Sequence, residues 1–142
     1  MMRASIILAD FAETDPTGKV HVLGAGWAVR GPQAGPQAVV GFVQVPPDQA
    51  GTAIPFTLRL TDRTGEVVEA RGPAGFQRME VTGQIEARRP RGWDGVTELN
   101  AAFAVNVMAP LTPGTAYTWS LEVDGKELAT TSFYVTPGVP GT

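Results

Sequence analysis

Apolar and polar residues alternate with a period of two through much of the chain. The alternation is clearest at residues 54–61, 99–107 and 117–124. Because successive side chains of an extended strand point to opposite faces, this spacing predicts strands with one buried face. No segment shows the spacing of an amphipathic helix. The predicted strands are residues 3–12, 20–30, 38–46, 54–61, 66–71, 77–88, 98–107, 115–124 and 127–136.

Turn sequences that combine Asp with Gly separate several of these runs. They occur at residues 15–18, 62–65 and 124–125, and the last two predict tight hairpins. Gly adopts a positive φ at little cost, and an Asp side chain accepts hydrogen bonds from the turn backbone. This pattern favours an all-β fold, a single antiparallel β-sandwich (Ig-like or jelly-roll-like) of eight or nine strands. The expected core residues are Ile6, Leu8, Phe56, Leu58, Leu60, Phe103, Val105, Trp119, Leu121 and Phe133.

The composition supports one domain with a tail. A chain of 142 residues with 43% hydrophobic content is long enough to bury a core. We expect the sandwich domain to span residues 1–136. Residues 137–142 are rich in Pro and Gly, which predicts an extended C-terminal tail.

Composition also excludes several classes of function. The chain has no Cys and one His, so thiolate metal sites are excluded and no metal site is expected. A net charge of −3 without a long basic run argues against nucleic-acid binding. No apolar run approaches the ~20 residues of a membrane-spanning helix, and no secretory leader is expected.

The candidate catalytic and cofactor motifs are incomplete. Gly24 and Gly26 form a Gly-x-Gly without the third Gly and the following helix that a dinucleotide site requires. They are expected instead to make room for a bulge or for the ring of Trp27 or Trp119. His21 lies inside a predicted strand, and no nucleophile-elbow motif is present. We therefore expect a protein that is not an enzyme and binds no cofactor.

The most distinctive segment is residues 88–94, Arg-Arg-Pro-Arg-Gly-Trp-Asp, here called the arginine loop. Arg and Trp are common anchors of protein interfaces, because they bury a large area and donate directional hydrogen bonds. The alternative is a solvated loop with Trp93 folded back on the sandwich edge. Residues 71–91 hold five Arg and two acidic residues, and acidic residues dominate from Glu98 onward. Opposed charges suit docking to copies of the chain or to an acidic partner.

Two short N-terminal stretches, together with the C-terminal hairpin of residues 123–125 and 133–135, carry a resemblance to a family. Residues 7–12, in which an apolar run ends in Ala9-Asp10, and residues 22–27, which end in Gly-x-Gly-Trp, resemble an uncharacterised family of small β-sandwich proteins from actinobacteria and phages. That resemblance implies a fold and an accessory role without catalytic residues. In class features alone, namely size, β-rich pattern and absence of Cys, the chain is also similar to head decoration (minor capsid) proteins of tailed phages.

These observations predict a non-enzymatic structural protein that docks on a larger assembly, foremost a phage head. Its partner would be the major capsid protein or other copies of itself in a homo-oligomer. It would reside in the virion after assembly in the host cytoplasm, or otherwise in the cytoplasm. The alternative is a cytoplasmic ligand- or carbohydrate-binding module with Trp93 and Tyr134 as an aromatic platform. The predicted interface residues are Arg88, Arg89, Arg91, Trp93, Pro137 and Val139.

Overall fold

A computed structural model describes residues 2–33 and 35–138 of the protein. This part of the chain is all-β, with twelve strands and one short 3-10 turn, η1 (Pro47–Gln49). The strands are β1 (Arg3–Ala9), β2 (Phe11–Thr14), β3 (Val20–Leu23), β4 (Val29–Arg30), β5 (Gln37–Val45), β6 (Ile54–Thr61), β7 (Glu69–Gly72), β8 (Gly75–Arg78), β9 (Glu80–Ile85), β10 (Leu99–Val107), β11 (Thr115–Val123) and β12 (Lys126–Val135).

The described strands form four sheets. One sheet has three strands in the order β1-β5-β10, and a second has five in the order β4-β12-β11-β6-β9. The pairs β2–β3 and β7–β8 form two further sheets. All pairings are antiparallel except that of β4 with β12.

The all-β class is confirmed, and the single antiparallel sandwich of eight or nine strands is corrected. Predicted strands 3–12, 20–30 and 77–88 each break, and their parts join different sheets.

The two larger sheets pack against each other over one hydrophobic core. Phe56 of β6 stacks on Phe103 of β10, with 4.3 Å between ring centroids. Each ring lies over a glycine of a neighbouring strand, Gly83 for Phe56 and Gly41 for Phe103, and a Cβ there would overlap the ring. Of the predicted core residues, only Val105 is not buried; it is half-buried and packs against the core. The period-two pattern therefore assigned the buried faces correctly.

Predicted strand 3–12 breaks at Asp10. The Asp10 backbone N–H donates to the carbonyls of Leu23 (3.1 Å) and Gly24 (3.2 Å). Its side chain fills the space above Gly24, which has φ +65°. The expectation of an aromatic ring over these glycines is therefore wrong, since Asp10 covers Gly24 and nothing lies within 4 Å of a Cβ at Gly26. At Asp10 the chain leaves the three-stranded sheet and enters the β2–β3 hairpin.

The β2–β3 hairpin lies on the outer face of the three-stranded sheet and buries a second, smaller core. Ala12 of the hairpin packs with Ala9, Ala38 and Val40. The Asn106 side chain of β10 donates to the Ala12 carbonyl (2.8 Å) and accepts from its backbone N–H (3.3 Å). The hairpin thus covers one half of this face and leaves the other half open.

Two turns share the sequence Asp-x-Thr-Gly and the same hydrogen bonds. Asp15 Oδ1 accepts from the Thr17 N–H (2.9 Å), the Thr17 hydroxyl (2.5 Å) and the Lys19 N–H (3.1 Å). Asp62 Oδ1 accepts from the corresponding groups of Thr64 and Glu66 at 2.9, 2.6 and 3.1 Å. These bonds to the charged form lower the pKa of both carboxyls, above all those from the threonine hydroxyls. Asp therefore fixes the shape of each turn, as the sequence predicts.

The predicted hairpin at residues 124–125 is also present. Asp124 and Gly125 have φ of 51° and 82° and connect the paired ends of β11 and β12. No helix within the described residues is long and apolar enough to cross a membrane.

Candidate functional site

The arginine loop connects β9 to β10 and is tied to the segment after η1. The Gly51 N–H donates to the Ala87 carbonyl (2.8 Å), and Arg89 Nε donates to the Ala50 carbonyl (3.3 Å). Within the loop the Trp93 N–H donates to the Pro90 carbonyl (3.2 Å). These bonds hold the loop in a defined shape although its side chains are mostly exposed.

Trp93 is half-buried against its own loop. Its indole Nε1 donates to the Thr97 carbonyl (3.2 Å), and the Arg89 guanidinium lies 6.0 Å from the ring centroid. The side chain thus combines features of the two interpretations, an interface anchor and a ring folded back on the protein. Its N–H is hydrogen-bonded within the loop, while part of the ring faces solvent. Its role as an interface anchor stays a prediction.

Asp94 closes the loop, a role that the sequence interpretation did not assign. Its Oδ1 accepts from the N–H groups of Val96 (2.8 Å) and Thr97 (2.9 Å), and its Oδ2 accepts from the Thr97 hydroxyl (2.5 Å). These hydrogen bonds, the hydroxyl first, lower the pKa of Asp94 to about 2. The sequence signal is an Asp followed three positions later by a Thr, a spacing typical of a local side-chain cap.

The three arginines of this loop, Arg88, Arg89 and Arg91, are exposed. None of them forms an ion pair with a described residue. Other arginines do form pairs: Arg59, for example, lies between Glu80 (2.9 Å) and Glu122 (2.6 Å). The arginine loop therefore presents positive charge that nearby acidic groups do not balance.

The C-terminal tail starts beside β4. The Thr136 N–H donates to the Arg30 carbonyl (3.0 Å). Val29 and Tyr134 are parallel strand partners, and they are 56% and 36% exposed. Pro137 is exposed, and the predicted interface residue Val139 lies outside the described residues. The tail thus leaves the sheet next to an exposed apolar pair.

A groove of about 430 Å³ borders this apolar pair. Asp10, Trp27 and Arg30 line it. Trp27 packs edge-on against Phe133 at 5.7 Å, and the Arg30 guanidinium lies 5.6 Å from the Trp27 ring centroid. Trp27 Nε1 and one terminal nitrogen of Arg30 are buried donors without a hydrogen-bond partner in the described part of the chain. The sequence interpretation missed this groove, because it forms only where Asp10 meets the distant segment of residues 27–35.

The arginine loop and the tail lie at diagonally opposite corners of the five-stranded sheet. Ile85, which ends β9, pairs with Ile54 at the start of β6. Val135, which ends β12, pairs with Thr115 at the start of β11, and this end of the sheet also holds Thr61 of β6. Strand β6 has eight residues, so the two ends lie about 25 Å apart. The predicted interface residues therefore do not form one continuous surface.

Two further sequence expectations change with this geometry. Trp93 and Tyr134 lie at opposite corners and cannot form one aromatic platform. The five arginines between residues 71 and 91 do not form one patch either. Arg71 and Arg78 belong to the β7–β8 hairpin, which joins the end of the sheet that holds Thr61, away from the arginine loop. The charge excess of this segment is therefore split between two ends of the molecule.

His21 forms an exposed pair with Asp15, with 2.8 Å between Nε2 and Oδ2. Because Asp15 Oδ1 already accepts three hydrogen bonds, the pair braces the β2–β3 turn. In residues 2–33 and 35–138, no group of three or more His, Asp or Glu side chains is placed to hold a metal ion.

Residues 4–136 match a family of unknown function, DUF6941, and the chain belongs to that family. No curated protein matches the sequence. Among solved structures, the chain is similar to the CARDB domain of the PF1109 protein from Pyrococcus furiosus, determined in complex with di-metal ions. The sequence identity is 11% and the TM-score 0.44, over 97% of this chain and 94% of that chain. Membership of an uncharacterised family is thus confirmed, while the phage resemblance and the source in actinobacteria stay predictions.

Proposed function

We propose that this member of DUF6941 is a non-enzymatic docking protein that attaches to a larger protein assembly. The observation that carries the proposal is the arginine loop, whose three exposed arginines have no carboxylate partner among the described residues. Since hydrogen bonds already fix the loop, little conformational entropy is lost when it binds. Its charge fits an acidic surface on the partner, to which guanidinium groups donate charge-assisted hydrogen bonds.

Within this loop we assign the central contact to Trp93. The exposed part of its ring supplies apolar area, and Arg89 already stacks near it at 6.0 Å. Arg88 and Arg91 lie in the same loop and supply further exposed positive charge for the rim of the contact. An apolar centre with a charged rim is the usual organisation of a binding hot spot.

A second contact is assigned to the corner at the tail. Pro137 and, from the sequence, Val139 continue from the exposed pair of Val29 and Tyr134. A segment rich in Pro loses little backbone freedom when it is immobilised. The neighbouring groove adds Arg30, so a partner that brings apolar side chains flanked by a carboxylate fits this corner.

Two contact regions separated by about 25 Å along the strands, and by the width of the sheet as well, suit a protein that bridges two neighbouring molecules of a repeating array. Either copies of this chain or subunits of a shell can supply those neighbours. The specific assembly proposed is the head of a tailed phage with the major capsid protein as partner, and this choice rests on the class features of the sequence alone.

Native mass spectrometry of the protein isolated from its source tests this proposal. We expect a complex with a second protein or with further copies, which dissociates as salt rises. Arg91→Glu is expected to weaken the complex at least tenfold. Arg63→Glu is the matched control, because Arg63 is an exposed arginine in the turn after β6, far from the arginine loop. A protein that stays monomeric, or equal losses in both variants, would refute the proposal.

A further inference from the structure

The outer face of the three-stranded sheet is only half covered. Strand pairing aligns its side chains in rows across β1, β5 and β10. The β2–β3 hairpin packs over the aliphatic end, and the other end stays open. The aliphatic row is Ile7, Val40 and Ala104; the two open rows are Ser5, Phe42 and Ala102, then Arg3, Gln44 and Asn100.

Phe42 lies at the centre of the open half. It is 37% exposed although it belongs to the central strand of the sheet. Its cross-strand neighbours Ser5 and Ala102 have short side chains, so the sides of the ring stay accessible. A groove of about 410 Å³ covers this region. A large apolar ring between two small residues is a flat platform for a ligand.

The next row supplies hydrogen-bonding groups without net charge. Gln44 and Asn100 are strand partners beside Phe42, and neither side chain hydrogen-bonds to a described residue. Each amide can both donate and accept hydrogen bonds. Arg3 at the end of the row is paired with Glu98 (2.9 Å), so the charge at the rim is balanced.

We propose that this open half-face, the Phe42 platform, binds a neutral carbohydrate. A pyranose ring packs its C–H face against an aromatic ring, and its hydroxyls exchange hydrogen bonds with the amides of Gln44 and Asn100. A peptide cannot pair with β5 beside Phe42, because β5 is paired on both sides. The balanced rim favours a neutral sugar over an anionic ligand.

The platform continues into a second groove, which indicates a ligand of several sugar units. This groove has a volume of about 490 Å³ and shares Asn100 with the first. It passes Ala102 and reaches Arg88 and the Asp15 turn. A linear oligosaccharide stacked on Phe42 therefore extends toward the arginine loop. This inference does not depend on the docking proposal.

Screening of neutral and acidic oligosaccharides against the full chain, followed by isothermal titration calorimetry, tests the site. Neutral linear oligosaccharides are expected to bind. Phe42→Ala is expected to weaken binding at least tenfold, Phe42→Tyr to retain it, and Asn100→Ala to weaken it severalfold. Phe76→Ala is the matched control, because Phe76 is 71% exposed on a different sheet. Phe42→Ala is expected to leave the salt-sensitive association with the partner assembly unchanged, which separates this site from the docking surface.

Three results would overturn the inference. The first is the absence of binding to any neutral oligosaccharide at millimolar concentration. The second is an equal effect of Phe42→Ala and Phe76→Ala. The third is a parent protein that binds no sugar but self-associates in sedimentation velocity, with the self-association lost in Phe42→Ala. That result would make this face a contact between copies of the chain. Melting temperatures of the variants must match the parent, as expected for a side chain outside the core.

Discussion

The indole N–H of Trp119 donates to Oε1 of Gln37 at 3.0 Å, and both side chains are fully buried. Gln37 begins β5 of the three-stranded sheet and Trp119 lies in β11 of the five-stranded sheet. This bond therefore links the two sheets through a polar contact inside an otherwise apolar core. A buried donor without a partner is costly, so the bond fixes how the two sheets face each other.

Replacement of Gln37 by Leu leaves the Trp119 N–H buried without an acceptor, which costs about 1–3 kcal/mol. The same change removes the buried Gln37 Nε2, a donor that has no partner among the described residues, so the net destabilisation should be smaller, about 1 kcal/mol. Urea unfolding followed by tryptophan fluorescence measures this change. Gln77→Leu is the control, since Gln77 is an exposed amide on β8, and a change within about 0.5 kcal/mol is expected there. Equal stability of Gln37→Leu and the parent would contradict the prediction, because the bond would then contribute no more than the unpartnered Nε2 costs.

Stability should fall in acid as the turn carboxylates are protonated. Hydrogen bonds lower the folded-state pKa of Asp15 and Asp62, and they lower that of Asp94 to about 2. An unfolded Asp has a pKa of about 3.9. The stabilisation is therefore complete above that value and is lost as pH falls from about 4 toward 2.

The Asp94→Asn variant isolates one of these carboxylates. We expect the difference in unfolding free energy between parent and variant to be constant above pH ~4 and to shrink as pH falls to ~2. Denaturant titrations at several pH values measure it. A difference that does not change over this range would contradict the assigned role of Asp94.

Gly24 should tolerate Ala less well than Gly26 does. Both have positive φ, +65° and +93°, so Ala costs about 1–2 kcal/mol at either position. At Gly24 the new methyl group also overlaps the Asp10 carboxylate, whereas Gly26 has open space. Thermal unfolding should rank Gly24→Ala as the less stable variant. Adding Asp10→Ala to Gly24→Ala should restore the part of the stability that the overlap with the carboxylate removes. The loss due to the positive φ should remain. If the double variant is no more stable than Gly24→Ala, overlap with Asp10 is not the cause of the difference.

Trp93→Ala should separate docking from folding. The half-exposed ring lies in a loop outside the core, so the melting temperature should change little. The free energy of association with the partner assembly should become less favourable by about 2 kcal/mol or more.

Removal of the residues after Thr136 should weaken docking in the same way without lowering the melting temperature. Unfolding of Trp93→Ala, or normal assembly of both variants, would contradict the contacts assigned to these regions.

Local patterns predicted the central strands and the core, because alternation along β6, β10 and β11 is a property of consecutive residues. The breaks at Asp10 and after Leu23 depend on contacts between segments more than ten residues apart, which periodicity does not contain. For the same reason the sequence did not predict that the arginine loop and the tail lie at opposite corners. Phe42 was missed because it lies in a continuous apolar run, where the exposed face becomes evident only from the position of the β2–β3 hairpin.

The β2–β3 hairpin forms a sheet of its own and rests on the larger one through small side chains and a single asparagine bridge. Such a unit can detach while both large sheets remain folded, so its free energy of local opening is lower than that of global unfolding. Backbone amide hydrogens in β2 and β3 should then exchange with solvent faster than those in β11. Each opening also exposes Ile7 and Val40, which lengthens the accessible strip next to Phe42 for as long as the hairpin is away.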